Sequence, residues 1–288
     1  IYVRHEIVHS RHVVNSLRHK GAVFVEELNE VPEGSVVIFS AHGVAKSVWE
    51  EAQSRRLHVI DATCPLVIKV HNEVNRDYTQ GYELILIGHA GHPEVIGTLG
   101  QIPDKFHLVS SVKDVESLHV EKTQNLSYVT QTTLSVDECR DIVEALHRRF
   151  PNIKGPHQED ICYATQNRQN AVKSLSKLVD VILVIGSPNS SNSNRLRELG
   201  EHCGIPSYLI DAASDINPDW LKDAKSVGLS AGASAPEVLV TEVVAYLKRL
   251  GSSEEVEELT VIEEDVEFLL PKELVTIESA SRVSASAN

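Results

Sequence analysis

The chain has 288 residues, 42% of them hydrophobic and 24% charged, with a formal charge of −14. That length supports a sizeable core in one large domain or two to three small ones. Nucleic acid has no basic run to bind, no apolar stretch approaches the length of a membrane span, no signal peptide is visible, and four irregularly spaced cysteines do not form a secreted disulfide framework.

Free thiols fit a reducing cytoplasm. The acidity is uneven: residues 252–288 hold ten acidic side chains against Lys272 and Arg282, a net of −8. Ile-Tyr-Val at 1–3 reads as a strand, and a chain that opens inside a strand and contains no methionine is expected to lack its native start. His5 and His9 follow that strand, whereas His12 and His19 read as ordinary helix residues.

Further along, strands are expected at 36–39, 58–60, 84–87, 181–185, 208–210 and 227–229, as short continuous apolar runs of the kind buried on both faces of a parallel sheet. Helices are expected between them. Val136, Cys139, Val143, Leu146 and Phe150 recur at three- and four-residue steps, and so do Val240, Val243, Val244 and Leu247. Alternating strand and helix predicts α/β, read as three similar units around one site: 1–63, 64–160 and 161–248. The acidic arm, 249–288, is expected to join the first unit, with 266–270 returning as an extra strand or arm.

Ligands of open α/β sheets bind beyond the carboxyl ends of strands, so the loops there carry the chemistry. Asp61-Ala-Thr-Cys64-Pro65 and Asp160-Ile-Cys162-Tyr-Ala-Thr165 are two such loops, each opening a helix whose N-terminus favours thiolate. Soft ligands at matching repeat ends suit a metal or iron–sulfur site, although two cysteines alone are a weak signal. Cys139 and Cys203 are expected to be buried core thiols.

His42, His89 and His92 also sit in strand-to-helix loops, with Glu94 two residues past His92. A single loop histidine is usually a local hydrogen-bond donor, but three in corresponding places suggest a site. His89, His92 and Glu94 would equally suit a zinc or binuclear hydrolase. The Ser/Asn run 187–194 has a plain alternative as a polar linker, yet it joins a buried strand directly to a helix. Its hydroxyls, amides and helix-start N–H groups make an anion cradle, and Ser234, before Pro236, offers a second. A phosphorylated ligand follows. No G-x-G-x-x-G and no Walker-type loop argue for bound nicotinamide or nucleoside triphosphate.

Ser-Ala-His-Gly-Val (40–44), Asp-Ala-Thr-Cys-Pro-Leu-Val (61–67), Gly-His-Ala-Gly-His-Pro-Glu (88–94), Thr-Gln-Thr-Thr-Leu-Ser (130–135), Asp-Ile-Cys-Tyr-Ala-Thr (160–165), Asn-Ser-Ser-Asn-Ser-Asn-Arg-Leu (189–196) and Ala-Gly-Ala-Ser-Ala-Pro (231–236) together resemble the 4-hydroxy-3-methylbut-2-enyl diphosphate reductase family over essentially the whole chain. The resemblance implies the last step of the methylerythritol phosphate route to isoprenoids. It implies a trefoil of three α/β units around a 4Fe-4S cluster held by one cysteine per unit. Cys64 and Cys162 match two of these, and the first lies in a loop upstream of Ile1, which neither Cys139 nor Cys203 replaces.

By the same resemblance His9, His42 and His92 surround the substrate. Ser190, Asn192 and Ser234, with Ser191 beside them, grip the diphosphate, and Glu94 and Thr132 sit near its hydroxyl end. The activity implied is reductive dehydroxylation to isopentenyl and dimethylallyl diphosphates, with an external reduced ferredoxin or flavodoxin as electron donor. Glu94 is then the proton source, directly or through Thr132, with its pKa raised by a closed pocket. Imidazolium at His42 and His9 is expected to favour the diphosphate. A non-catalytic diphosphate-binding remnant, suggested by the unmatched first cysteine, stands beside the hydrolase as an alternative.

Overall fold

A computed structural model describes residues 1–103, 106–251, 256–271, 273 and 274. Among them three separate sheets form, each entirely parallel, as runs buried on both faces require.

The first sheet begins with β1 (Tyr2–Arg4), followed by α1 (Arg11–His19), β2 (Val23–Val25), β3 (Val36–Phe39), α2 (Lys46–Ser54) and β4 (His58–Asp61), in the strand order β2-β1-β3-β4. Ser10 starts α1 by accepting the N–H of Val13, and Arg18 and His19 complement its last turn. Val25, Leu28, Val37, Phe39 and Ala52 form this sheet's core.

The second unit runs α3 (Pro65–Thr79), β5 (Glu83–Ile87), α4 (Pro93–Leu99), β6 (Phe106–Val109), α5 (Val112–Ser117), β7 (Leu126–Thr130) and α6 (Val136–Arg149), with strand order β6-β5-β7. Pro65 and Pro93 open their helices, where a missing N–H costs nothing. The third runs α7 (Tyr163–Leu175), β8 (Val181–Ile185), α8 (Ser191–His202), β9 (Ser207–Ile210), β10 (Val227–Ala231) and α9 (Glu237–Arg249), ordered β10-β8-β9. All five residues of β8 are buried, as its unbroken apolar sequence predicts.

The expected fold is the one observed, three α/β units in a trefoil, but four local expectations change. Strands β2, β6 and β7 were not anticipated. The first is a three-residue edge, and β6 contains His107, whose polarity is absorbed by Glu83. In β7 the polar Ser127 and Thr130 are buried; its outer edge is covered by exchange of backbone hydrogen bonds with Lys154, which hides the usual apolar signature. The fourth change is the tail: 266–270 is not a strand, and every residue of 256–270 is exposed. Val266, Phe268 and Leu270 alternate as a strand would require, but they stay exposed, with no strand paired to them among the described residues. Among the described residues this arm meets the third unit rather than the first sheet: Glu264 lies 3.0 Å from Asn167 and 3.8 Å from Arg168 on α7. The rest of the arm expectation, 252–255, 272 and 275–288, lies outside the described residues.

The units meet where their loops meet. The N–H of Lys46 at the start of α2 donates to the carbonyl of Gly100 at the end of α4 (3.0 Å). Gln101 donates to the carbonyls of Val44 and Gly97, both at 2.9 Å. A Cβ on Gly100 would lie 2.2 Å from the Cβ and 2.9 Å from the Cα of Ala45. Backbone on the far side cannot yield, so Gly100→Ala is expected to lower the unfolding free energy by about 1–3 kcal/mol in urea denaturation. An unchanged midpoint would show that this joint is not load-sharing.

Candidate functional site

Most of the site lies just beyond the carboxyl ends of strands; Cys162, between α6 and α7, does not. His9 follows β1, His42 follows β3, His92 caps α4 after β5, Thr132 follows β7, and Ser190 to Asn192 start α8 after β8. Three imidazoles converge: His9 and His42 have ring centroids 4.2 Å apart, His9 and His92 5.5 Å, and His42 and His92 5.8 Å. They line one wall of a cavity of about 430 Å³, mouth included, whose other wall is Ser190, Ser191, Asn192 and Ser234. Sequence reasoning placed all seven residues in one site, and the structure brings them together.

The cradle has unsatisfied capacity. Asn192 is 4% exposed, and neither its Oδ1 nor its Nδ2 has a protein partner. Nε2 of His9 and Nδ1 of His42 are likewise buried and unpartnered. Orphaned buried polar atoms are uncommon, and a group of them facing one cavity marks a polar ligand. The serines are already engaged: Ser190 caps α8 by accepting from Ser193, Ser191 donates to the carbonyl of Thr133, and Ser234 donates to the carbonyl of His9. Ser190, which only accepts here, keeps its own proton for an anion, and the Ser191 and Ser234 protons can rotate from their carbonyls to serve one.

Behind the histidines lies Glu94, 3% exposed. Its Oε1 accepts the N–H of Thr132 at 2.6 Å and its Oε2 meets the Thr132 hydroxyl at 3.0 Å. Burial pushes its carboxyl up to about 7; the two Thr132 hydrogen bonds oppose that, and the nearby Asp160 charge adds to it. Asp160 is itself raised by burial, against the N–H of Thr130 and the ammonium of Lys69.

Cys64 and Cys162 are both half-buried free thiols, at the N-caps of α3 and α7. The N–H of Cys64 donates to Ala41, beside His42, and that of Cys162 to the carbonyl of Thr132, both at 3.0 Å. The Cys162 thiol donates to Thr165 Oγ1 (3.0 Å) and accepts the Thr165 N–H (3.3 Å). Its pKa is raised, first by burial and then by Cys64 and Glu94, so the two sulfurs and the carboxylate share one electrostatic neighbourhood. Two thiols of matched placement, next to a buried carboxyl, fit as two protein ligands of an iron–sulfur cluster. Cys139 does not face this space: it is buried in the α6 stripe with its thiol pushed up to about 12. Cys203, expected to be buried, is exposed, because it is the C-cap of α8 and lies beyond the last packed turn.

Two expectations are corrected. Imidazolium at His42 is not favoured: burial, then His9 and His92, lower its pKa to about 3, and burial lowers His92 to about 4. Rings this close and this dry resist charging together. Nor do His89, His92 and Glu94 converge on a metal; His92 Nδ1 accepts the N–H of Glu94, the carboxylate is spent on Thr132, and no group of three such side chains among the described residues could hold a metal ion.

Several residues of the site gave no signal in periodicity or spacing. Gln131, 1% exposed, accepts the N–H of His89 through Oε1 (3.1 Å) and donates to Thr133 Oγ1 (3.0 Å), bridging two loops. His71 packs beneath the His42 loop: a Cβ on Gly43, whose φ is +77°, would lie 2.7 Å from the His71 ring. Only the short motifs around 88–92 and 130–133 pointed to this neighbourhood.

The family model described as LytB protein matches residues 1–248. A Bradyrhizobium diazoefficiens protein named 4-hydroxy-3-methylbut-2-enyl diphosphate reductase 2 is 61% identical over 274 residues, 95% of this chain and 89% of its own. The Aromatoleum aromaticum protein named 4-hydroxy-3-methylbut-2-enyl diphosphate reductase is 60% identical over 276 residues, 96% of this chain and 88% of its own. The solved E-1-hydroxy-2-methyl-but-2-enyl-4-diphosphate reductase of Plasmodium falciparum superposes with a TM-score of 0.94 at 37% identity, covering 98% of this chain and 89% of that one.

A raised carboxyl pKa has a signature in stability. Glu94 stays neutral in the fold where the unfolded chain ionises, so its contribution is complete below the ordinary value of 4.5 and is lost as pH rises through about 7. Between pH 5 and 8 the wild type should therefore lose on the order of 2 kcal/mol relative to Glu94→Gln in denaturant unfolding. Parallel pH curves would place an ordinary carboxylate at Glu94.

Proposed function

The chain belongs to the LytB family, and on that premise we propose that it removes the allylic hydroxyl of 4-hydroxy-3-methylbut-2-enyl diphosphate by reduction, giving isopentenyl and dimethylallyl diphosphates. The balance is one C–O bond broken, one C–H bond formed, and two electrons and two protons consumed per water released. The observation that carries this reading is the set of bonds around Thr132. Its N–H and hydroxyl hold the buried carboxyl of Glu94, and its carbonyl holds the N–H of Cys162. Proton source and sulfur ligand are thus fixed by one residue.

The diphosphate lies in the cradle of Ser190, Ser191, Asn192 and Ser234, where hydroxyls, an unpartnered amide and the N-terminus of α8 meet the anion. His9 and His42 offer unpaired ring nitrogens to the same ligand. His92 presents its ring edge between diphosphate and allyl ends, with its Nδ1 tied to the N–H of Glu94. With the charged end so anchored, the hydroxyl end is directed toward Glu94 and Thr132. The Thr132 hydroxyl donates to Glu94 Oε2 at 3.0 Å; in the relay it turns to give its proton to the departing oxygen and takes the proton of the Glu94 carboxyl across the same contact. A carboxyl whose pKa lies near 7 is well matched to that work, because it is both loaded and willing at neutral pH.

Cys64 and Cys162 would hold a 4Fe-4S cluster, which when bound supplies the electrons and a Lewis-acidic iron. An alkoxide leaves poorly from carbon, and the protein's share is to keep the site dry and to deliver the proton at a defined atom. The electrons come from a small external carrier, a reduced ferredoxin or flavodoxin. Free thiols fit a cytoplasmic setting, and no helix among the described residues is long and apolar enough to cross a membrane.

Glu94→Gln should keep the Kd for the allylic diphosphate within about threefold and lower turnover by on the order of 100-fold or more. Turnover close to wild type would remove Glu94 from the proton path. Cys64→Ser and Cys162→Ser should each lose iron and acid-labile sulfide after anaerobic reconstitution, whereas Cys203→Ser should retain both. Equal iron content in all three variants would refute the ligand assignment.

A further inference from the structure

Of the three cavity histidines, His9 is distinguished by what stands behind it. Its Nδ1 lies 3.3 Å from Oε2 of Glu6. A carboxylate only accepts, so Nδ1 carries the proton, and the buried, unpartnered Nε2 is the atom left for the cavity. The same Oε2 of Glu6 accepts Nδ2 of Asn189 at 2.6 Å, 183 residues away in sequence. Asn189 precedes Ser190 to Asn192, the loop read above as the anion cradle. His42 and His92 have no such partner: the Nδ1 of His42 is unpaired, and that of His92 accepts a backbone N–H.

We propose that Glu6 is a positioning residue for the diphosphate. One carboxylate oxygen sets the proton and orientation of His9 in the first unit and the height of the Asn189 loop in the third. The inference rests on the diphosphate cradle proposed above and adds a residue that does not touch the ligand. When an anion reaches Nε2, that nitrogen must donate too, and the charge this places on the ring is balanced by Glu6 behind it. The histidines in front of it carry no such counter-charge, so His9 is the ring equipped to answer the ligand's charge.

The joint around Glu6 is reinforced. Ser234 donates to the carbonyl of His9 at 3.0 Å, and the N–H of Arg11 donates to Ser187 Oγ at 3.1 Å. Ser187 in turn donates to Asp211 at 2.5 Å, and Arg11 meets Asp211 at 3.2 Å. These bonds hold the two backbones in place without Glu6. Removing Glu6 therefore frees side chains and leaves the fold standing. The Glu6 side chain is 40% exposed, so water screens part of its effect and a moderate loss is expected.

The test uses the full chain carrying its cluster, with Glu6→Gln, Glu6→Asp, Asn189→Ala and Ser234→Ala. KM and kcat are measured for the allylic diphosphate, and Kd for inorganic diphosphate by calorimetry. Glu6→Gln should raise both KM and Kd about tenfold, the loss of one charge-assisted contact, and lower kcat far less. Glu6→Asp should recover part of that loss because it keeps the carboxylate, and Asn189→Ala should show a smaller rise. A Glu6→Gln protein that binds inorganic diphosphate like the wild type, while Ser234→Ala weakens it, would overturn this inference alone. A loss confined to kcat would also overturn it. Wild-type protein that fails to bind inorganic diphosphate would overturn the cradle, and this inference with it.

Discussion

The proposed chemistry depends on one buried carboxyl group, that of Glu94. Glu94 keeps its proton near neutral pH because burial makes the anion costly, and Thr132 supplies only enough hydrogen bonding to place the group without ionising it. A third donor, or a lysine in reach, would turn the proton source into an ordinary carboxylate. The surrounding architecture serves that balance. The groups that meet Glu94, namely His92, Thr132 and Asp160, come from loops of the second unit, and the three-sheet architecture brings loops of the other two units to the cavity beside it. The Gly100–Ala45 and Gln101–Val44 contacts join the first two units.

The diphosphate end works by the opposite principle. The protein carries a net −14, and an anion approaching it is repelled at long range. Screening confines that repulsion to roughly 8 Å at physiological salt, so what decides binding is the first shell. There the chain offers neutral donors: hydroxyls, the Asn192 amide, and the amides opening α8. The histidines contribute ring nitrogens and little fixed charge, since His42 and His92 are held neutral by burial. An unloaded site of three imidazolium rings within 6 Å would repel itself, whereas neutral rings pack.

Much of this was readable in the sequence because the site is built from strand ends. Continuous apolar runs located β3, β4, β5, β8, β9 and β10, and the polar loops after them contained His42, His92, Glu94, Ser190 and Asn192. Periodicity located α6 and α9 for the same reason. What it could not locate was β7, whose buried Ser127 and Thr130 break the apolar pattern and whose outer edge is satisfied by Lys154 from beyond α6. Losing β7 meant losing Thr132, the partner of Glu94, which entered only through resemblance to a family. The charge state of His42 was misjudged because it depends on burial and ring spacing, and neither has a signature in one dimension. The acidic tail was expected to pair because 266–270 is apolar on average, yet a strand also needs a free edge to join and a face to bury. Glu6 and Gln131 act by bridging segments tens to hundreds of residues apart, and such bridges are invisible until the chain is folded.

The most direct test is to follow a single reaction under anaerobic conditions: the reconstituted chain, a strong one-electron reductant with a mediator, and 4-hydroxy-3-methylbut-2-enyl diphosphate, with every product identified. Isopentenyl and dimethylallyl diphosphates, formed with two electrons consumed per turnover and with the diphosphate ester intact, are the expected result. Release of inorganic diphosphate without reduced products, or binding without turnover by a protein whose iron and sulfide are complete, would contradict the reading of Glu94, Thr132 and the paired cysteines as a reductive site.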